Sequence, residues 1–503
     1  MMKGNLLFVG GDLSGIQKFI YNISSKRAMV SLKGRSAWLK KYTDDVCDRI
    51  LSITEIANSG FSKNEMKIYC SGGKFYLQVP DSDVIRDEIE KVRVCAEKEL
   101  WEKHKGQLTI NIAYFPFYYD GDNVCVDGKV GKIGILWERI TQDFNIMKNQ
   151  KLKHVLLDDY SNFFEVNEVG GDAKVCEVTG IEGAIEAKFK FKDENGDKEE
   201  TLRVLASVKE QIEFGLKLRD KQGFKMLEEY AEGTYLGILR MDVDGLGKRF
   251  ISGFDSMEEY RSFSNKLDNF FDADNGELDY LYEDYKDYLH IVYAGGDDIF
   301  VVGRWDKAIE FAELVRNEFK KYCKEKLRDE SLSISGGVAV VGPKFPIAKA
   351  AEMAGDAESA AKKYNNSAKN AFNMFGETLS WRDDEFGYVK SYKDQFVSLV
   401  TECGLSRSIL HKIMIYAAMV KENKAIEAEN RRGNNKHKPN MSYIWHTAYY
   451  LTRFMSKEKG NKVIYDFCRD LRDNQLYSPE KYRLMSIAAR WAELELRINN
   501  INK

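Results

Sequence analysis

Two stretches of this chain spell out the same order of elements, and that internal repeat constrains the fold more than any other feature. "NLLFVGGDLSGIQKFIYNI" (Asn5–Ile23) reads as a strand over Leu6–Val9, a Gly-Asp turn and the start of an amphipathic helix. "YLGILRMDVDGLGKRFISG" (Tyr235–Gly253) reads the same way, as strand, D-x-D-G turn and helix start. Each copy runs on through a helical stretch into two β-prone runs joined by a small polar turn, "MKIYCSGGKFYLQVP" in the first and "LHIVYAGGDDIFVVG" in the second. Asp12 lies 60 residues before Gly72, and Asp242 lies 53 before Gly295. Two copies of strand, helix, helix and hairpin at such similar spacing predict two related domains in one chain. The second copy continues with a helix (Lys307–Lys326), a small-residue strand (Leu332–Val341) and the helix "AKAAEMAGDAESAAKKY", the βααββαβ order of a ferredoxin-like palm. The first copy is less regular, with "QLTINIAYFPF" as its fourth strand.

The second hairpin raises a chemical question. A tight turn uses Gly and Asp because both tolerate positive φ, but it has no need of adjacent carboxylates that repel each other. By strand alternation Asp242 and Asp244 point to one side, and Asp297 and Asp298 lie on the hairpin expected to pair beside them. Three or four converging carboxylates call for a divalent cation, and hard oxygen ligands select magnesium or manganese. Gly295 and Gly296 would let the backbone approach a base or phosphate closely, and Lys362 on the later helix would offer a triphosphate counter-charge. Taken singly, G-G-D-D also reads as a bland hairpin turn, D-x-D-G as a strand end and "AAKKY" as a solvated helix face. Together, in palm order, they read as a two-metal nucleotidyl-transfer site built from the carboxylates among Asp242, Asp244, Asp297 and Asp298, with Asp244 also a candidate contact to the nucleotide.

At the matching hairpin the first copy carries Ser71, Gly72, Gly73 and Lys74, and at its strand end Asp12 is followed by Ser14. It keeps the glycines without the carboxylates, so it is either a pocket for a second nucleotide's phosphates or a structural relic. The basic run from Ser24 to Lys41 reads equally as a phosphate or RNA contact and as the polar face of a helix. "NRRGNNKHKPN" reads as a solvated loop or a nucleic-acid contact.

The remainder sets boundaries. With 503 residues the chain is too long for one core. We divide it into a first palm-like domain (1–150), a small turn-rich insert (151–225, ending in the hairpin signal "DENGD"), a second palm-like domain (226–385) and a C-terminal helical bundle (386–503). The fold class expected is α+β, with two ferredoxin-like (βααββ) palms packed face to face. A net charge of −3 excludes a globally basic nucleic-acid binder. No run of eighteen apolar residues and no leader occur, so a soluble, cytoplasmic chain with no membrane partner is expected. Eight scattered cysteines without a C-x-x-C argue against a disulfide framework or a four-cysteine zinc site.

The pairing of "GDLSGIQKFIYNISSKRAMVSLKGRS" and "SGGKFYLQVP" with "LRMDVDGLG" and "YAGGDDIFVVGRW" resembles the large subunit of type III CRISPR effector complexes, the Cas-ten family in its Csm (type III-A) branch. The resemblance covers both palms and the helical bundle. It implies a composite site that joins ATP into cyclic oligoadenylate second messengers when target RNA is bound, a nucleotidyltransferase acting in antiviral defence. It implies that Asp297 and Asp298 with Asp242 hold the metals and that Ser71, Gly72, Gly73 and Lys74 contact the second ATP. The bundle would line the guide–target RNA filament beside other subunits. ATP in place of GTP rests on the resemblance alone. Two departures shape the expectations. The chain starts almost directly at the first palm strand and holds no His-Asp pair, so no HD nuclease is expected; only Cys176 stands where the family's insert carries paired cysteines, so no structural zinc is expected. No side chain stands out in the sequence as a general base. The rival readings are a stand-alone diguanylate- or nucleotide-cyclase-like enzyme, which would carry an active motif in each copy, and a non-catalytic RNA-binding scaffold, which would have little use for clustered carboxylates.

Overall fold

A computed structural model describes residues 5–158, 174–204, 215–219 and 225–501, apart from 22, 24–27, 105, 182–183, 194–195, 233, 274, 433–437, 458–460 and 477; from 174 to 204 the description is of backbone alone. The chain divides into two compact units, one of residues 1–334 and 341–355, the other of residues 335–340 and 356–503.

The first unit opens with β1 (Leu6–Ser14), buried along nearly its whole length, so that it reads as a continuous apolar run. A short helical turn (Ile16–Tyr21) leads to α1 (Ala28–Leu51), then to the hairpin of β2 (Lys67–Ser71) and β3 (Lys74–Pro80). The chain continues through α2 (Asp83–His104), β4 (Thr109–Asp120), β5 (Asn123–Val126), β6 (Lys129–Gly131) and α3 (Gly134–Lys148). The sheet order is β2-β3-β1-β4-β5-β6, with β1 antiparallel to both β3 and β4. The strand expected in "QLTINIAYFPF" is β4.

The expected Gly-Asp turn at Gly11 and Asp12 is instead strand, and packing supplies the reason. A Cβ on Gly10 would stand 2.8 Å from Ile140 of α3, and one on Gly11 would stand 2.1 Å from the Phe75 ring. These glycines are missing side chains that let neighbours close over β1. The turn falls at Gly15, whose φ of 92° is left-handed.

Between the palms, β7 (Lys174–Ile181), β8 (Ala184–Asp193) and β9 (Gly196–Val204) form an antiparallel three-stranded sheet, with Asp193 paired to Gly196 at the "DENGD" signal. The second palm begins with β10 (Leu236–Asp244), which again leaves its strand at a left-handed glycine, Gly245 with φ 78°. It continues with α4 (Met257–Phe271), capped by the Ser256 hydroxyl, and with β11 (Leu289–Gly295), β12 (Asp298–Arg304) and α5 (Trp305–Tyr322). β12 lies antiparallel between β10 and β11.

The two palms pack directly on each other. Gly134 at the start of α3 sits so close to Ile251 O that a Cβ would fall 1.7 Å from it. The Trp137 and Tyr260 rings meet at 4.1 Å and those of Tyr21 and Phe300 at 4.6 Å. In the basic run of α1, Lys33 reaches across the palms and Arg35 packs inside the first, while Lys40 and Lys41 are exposed. Lys33 Nζ donates to Ile291 O at 3.2 Å, and buried Arg35 donates to Phe19 O while lying over the Phe19 ring. Lys26 and Arg27 fall outside the described residues.

The chain passes between units within β13 (Ser333–Val341) and within α6 (Ile347–Ser367). In the second unit β13 pairs in parallel with β14 (Ala371–Met374), which pairs antiparallel with β15 (Glu377–Ser380). The expected helical region follows as α7 (Tyr388–Glu402), α8 (Ser408–Arg431), α9 (Ser442–Lys457), α10 (Lys462–Asp470) and α11 (Pro479–Ile501), with α11 packed on α7 and α8. No described helix is long and apolar enough to cross a membrane.

Candidate active site

β10 and β12 place Asp242 directly across from Asp298, and Gly295 pairs with Asp298 to close the hairpin. Gly296 turns the corner at φ 67°, and Val243 N donates to Asp297 O at 3.1 Å, which ties the turn to the end of β10. One carboxylate oxygen from each of Asp242, Asp297 and Asp298 lies within 4.8 Å of the others, and all three residues are half-buried. Three carboxylates at that spacing repel one another unless a cation lies between them, and an all-oxygen set fits magnesium or manganese. Asp244 departs from the expected convergence. It is buried, and its Oδ2 accepts the Ser333 hydroxyl at 2.7 Å. It does project to the same side as Asp242, but two residues along a strand are roughly 7 Å apart, enough to put it under the site as a brace.

The first palm repeats this frame with other chemistry. Asp12 pairs with Lys74 in the register that Asp242 shares with Asp298, and Leu13 N donates to Gly73 O at 2.9 Å as Val243 N does to Asp297 O. Ser71 pairs with Lys74 to close the turn, with Gly72 and Gly73 both left-handed at φ 60° and 79°. Asp12 is buried, and Lys148 Nζ at the end of α3 stands 2.7 Å from its carboxylate. Lys74 is exposed at the hairpin's edge. Lys362 lies on α6 in the second unit, paired with Glu358 at 2.9 Å.

The two glycine turns face each other. A Cβ built on Gly72 would stand 3.3 Å from Tyr293 Oη and 3.9 Å from Gly295 O. One on Gly295 would stand 3.5 Å from Ser71 Oγ, and one on Gly296 would stand 3.0 Å from Tyr69 Oη. Ser71, Gly72, Gly295, Gly296 and Asp297 are thus brought into one place.

Sequence reasoning missed Asp268. It projects from α4 toward the meeting point of the hairpins, where it accepts a hydrogen bond from Ser71 and feels the charge of Asp297. Burial first, then Asp297, raises its carboxyl to about 7, while Lys40 and Ser71 oppose the rise. Its Oδ1 is buried without a hydrogen-bond partner. The available signal was a carboxylate four residues after Ser264 on the edge of the buried stripe of Phe263, Ser264, Leu267 and Phe271. Burial also holds the Tyr69 and Tyr293 phenols well above their usual range, with the surrounding aspartates adding to it, so both stay protonated.

Residues 235–373 match the family described as Cas10/Cmr2, second palm domain, and residues 5–168 match Csm1 subunit domain B. The chain is 27% identical over 426 residues to the subtype III-A Cas10/Csm1 single-strand-specific deoxyribonuclease of Enterococcus italicus, covering 71% of this chain and 52% of that protein. It is 24% identical over 467 residues to the Mycobacterium tuberculosis protein of that description, covering 74% and 54%. The chain belongs to the Cas10/Csm1 family. It spans a little over half the length of these curated Cas10/Csm1 relatives. Among solved structures it is similar to the Csm1 of a Csm1-Csm4 cassette in complex with pppApA, with a TM-score of 0.64 and 19% identity over 97% of this chain and 69% of that one. A cassette in complex with cA4 gives 0.62 and 20% over 99% and 70%. These likenesses establish the α+β Cas10/Csm1 fold.

Proposed function

We propose that this chain is the nucleotide-joining subunit of a type III-A CRISPR complex, converting ATP into cyclic oligoadenylates when target RNA is bound. The observation that carries the reading is the meeting of two unlike glycine turns, one with three carboxylates within 4.8 Å and the other with none. Solved relatives whose cassettes hold one ATP, pppApA or cA4 support the substrate class.

Asp242, Asp297 and Asp298 would hold magnesium or manganese, which supplies charge neutralisation at the phosphates and a more acidic attacking hydroxyl. The left-handed turn at Gly296 bares the backbone to the donor triphosphate. Ser71 Oγ and the Gly72–Gly73 turn bind the acceptor nucleotide, and exposed Lys74 meets its phosphates. Asp268, bonded to Ser71, would fix that hydroxyl on the acceptor side. Asp244 and Asp12 hold the two frames. Guide RNA, target RNA and the other subunits are the partners this reading requires.

The test is product analysis by mass spectrometry of the chain assembled with its guide-RNA complex, given target RNA, ATP and manganese, beside an Asp297→Ala/Asp298→Ala variant. RNA-dependent oligoadenylates that vanish in the variant are expected. Untouched ATP, or equal product from the variant, would sink the reading and favour a scaffold.

A further inference from the structure

The two hairpins share one feature that neither metal binding nor phosphate binding uses. Each edge strand slips register by one residue, between Lys67 and Tyr69 in β2 and between Ile291 and Tyr293 in β11. In both, a tyrosine follows the slip and stands two residues before the closing pair, Ser71 with Lys74 or Gly295 with Asp298. A bulge re-aims the side chain beside it. Here both side chains reach across the palm boundary. Tyr69 Oη of the first palm lies 3.0 Å from the Cβ position of Gly296 in the second, and Tyr293 Oη lies 3.3 Å from that of Gly72 in the first. Tyr293 Oη also donates to its own Gly295 O at 3.4 Å.

We infer that Tyr69 and Tyr293 are a reciprocal pair of positioning residues, each phenol from one palm's hairpin setting the place of the other palm's glycine turn. This deepens the proposed function and rests on it for its catalytic consequence. Joining two nucleotides requires the reacting atoms within about 3–3.5 Å, and the acceptor turn and donor turn belong to different palms. Their separation is set by what lies between them, and two phenol oxygens lie there. The contact also explains why both turns need glycine beyond their left-handed φ: a methyl on either would press on the opposite tyrosine.

The pairing is tested by partner-specific rescue in the chain assembled with its guide-RNA complex and target RNA. Gly296→Ala is expected to slow the first bond-forming step at least about tenfold, with KM for ATP within about threefold, because misplacement strikes the transition state more than ground-state binding. Tyr69→Phe, which removes the oxygen that the methyl meets, should recover a large part of that rate, while Tyr293→Phe should recover none. Gly72→Ala should be rescued by Tyr293→Phe and not by Tyr69→Phe. The cost of alanine in the left-handed region is common to single and double variants and drops out of the comparison. A second readout needs no catalysis: in hydrogen exchange, Tyr69→Leu should speed exchange in the peptide holding Gly296, and Tyr293→Leu in the peptide holding Gly72. Rescue by either phenylalanine alike, rescue by neither, or exchange confined to the mutated hairpin overturns the pairing. A wild-type complex that leaves ATP untouched would overturn the proposed function, and the exchange experiment would then judge the tyrosine pair by itself.

Discussion

The two palms share a backbone frame and solve the same electrostatic problem in opposite ways. In the first, the buried carboxylate of Asp12 is neutralised by Lys148 at 2.7 Å, and the cross-strand position holds Lys74. In the second, Asp242 faces Asp298 and Asp297 stands beside them, an oxygen set that would fit a divalent cation. Both palms have the strand, the left-handed exit glycine and the turn, and they differ in the charges placed on that frame. One half pairs its buried carboxylate internally. The other gathers three carboxylates at one place, the donor set a hard divalent cation would use.

The largest effect should come from breaking the second half. Asp297→Asn/Asp298→Asn should abolish manganese binding by electron paramagnetic resonance and lower product formation by at least about 100-fold, with the fold retained by circular dichroism. Retained manganese affinity would separate the carboxylates from the metal.

Next is Asp268, where the halves meet. Its folded carboxyl lies near 7, above the ordinary value of 3.8. Between those values the folded chain keeps a proton that the unfolded chain releases, so this group's stabilising contribution is complete below about pH 4 and is lost as pH rises toward 7. Asp268→Asn should flatten that slope and, above pH 7 without metal, raise stability on the order of 3 kcal/mol. Urea unfolding at a series of pH values checks it, and an unchanged slope counts against the assignment.

Lys148→Met should leave Asp12 buried without its cation and cost about 2 kcal/mol, less than a fully buried pair because Lys148 is partly exposed. Adding Asp12→Asn should recover most of the loss, a cycle read from denaturation midpoints. Smallest is Lys74→Ala. An exposed lysine on a phosphate should change KM for ATP about threefold and leave kcat alone.

Much of the architecture was legible because it is periodic or punctuated. The repeat, the two hairpins, "QLTINIAYFPF" as a strand and the helical C-terminal region follow from alternation and turn residues. The triad was legible because Asp242, Asp297 and Asp298 sit at strand ends whose pairing the repeat implies. Local reasoning misplaced the turn at Gly11 and Asp12, because a glycine needed for the Phe75 ring looks in sequence like a glycine needed for a bend. It left the number of converging carboxylates at three or four, because alternation tells the side of a strand and not the distance along it, and Asp244 is bonded to Ser333 instead.

Asp268, Lys148, Tyr69 and Tyr293 lay beyond sequence reading for a common reason. Each matters through a partner on another element: Ser71 for Asp268, Asp12 for Lys148, and the opposite palm's glycine for each tyrosine. By itself the sequence determined which runs pair as hairpins and which hairpin carries charge, since these depend on side chains a few residues apart. Only the tertiary structure decided that one palm neutralises its own carboxylate, that a helix carboxyl stands between the hairpins, and that the two turns touch. Those outcomes depend on burial and on distances through space, which neighbours along the chain do not set.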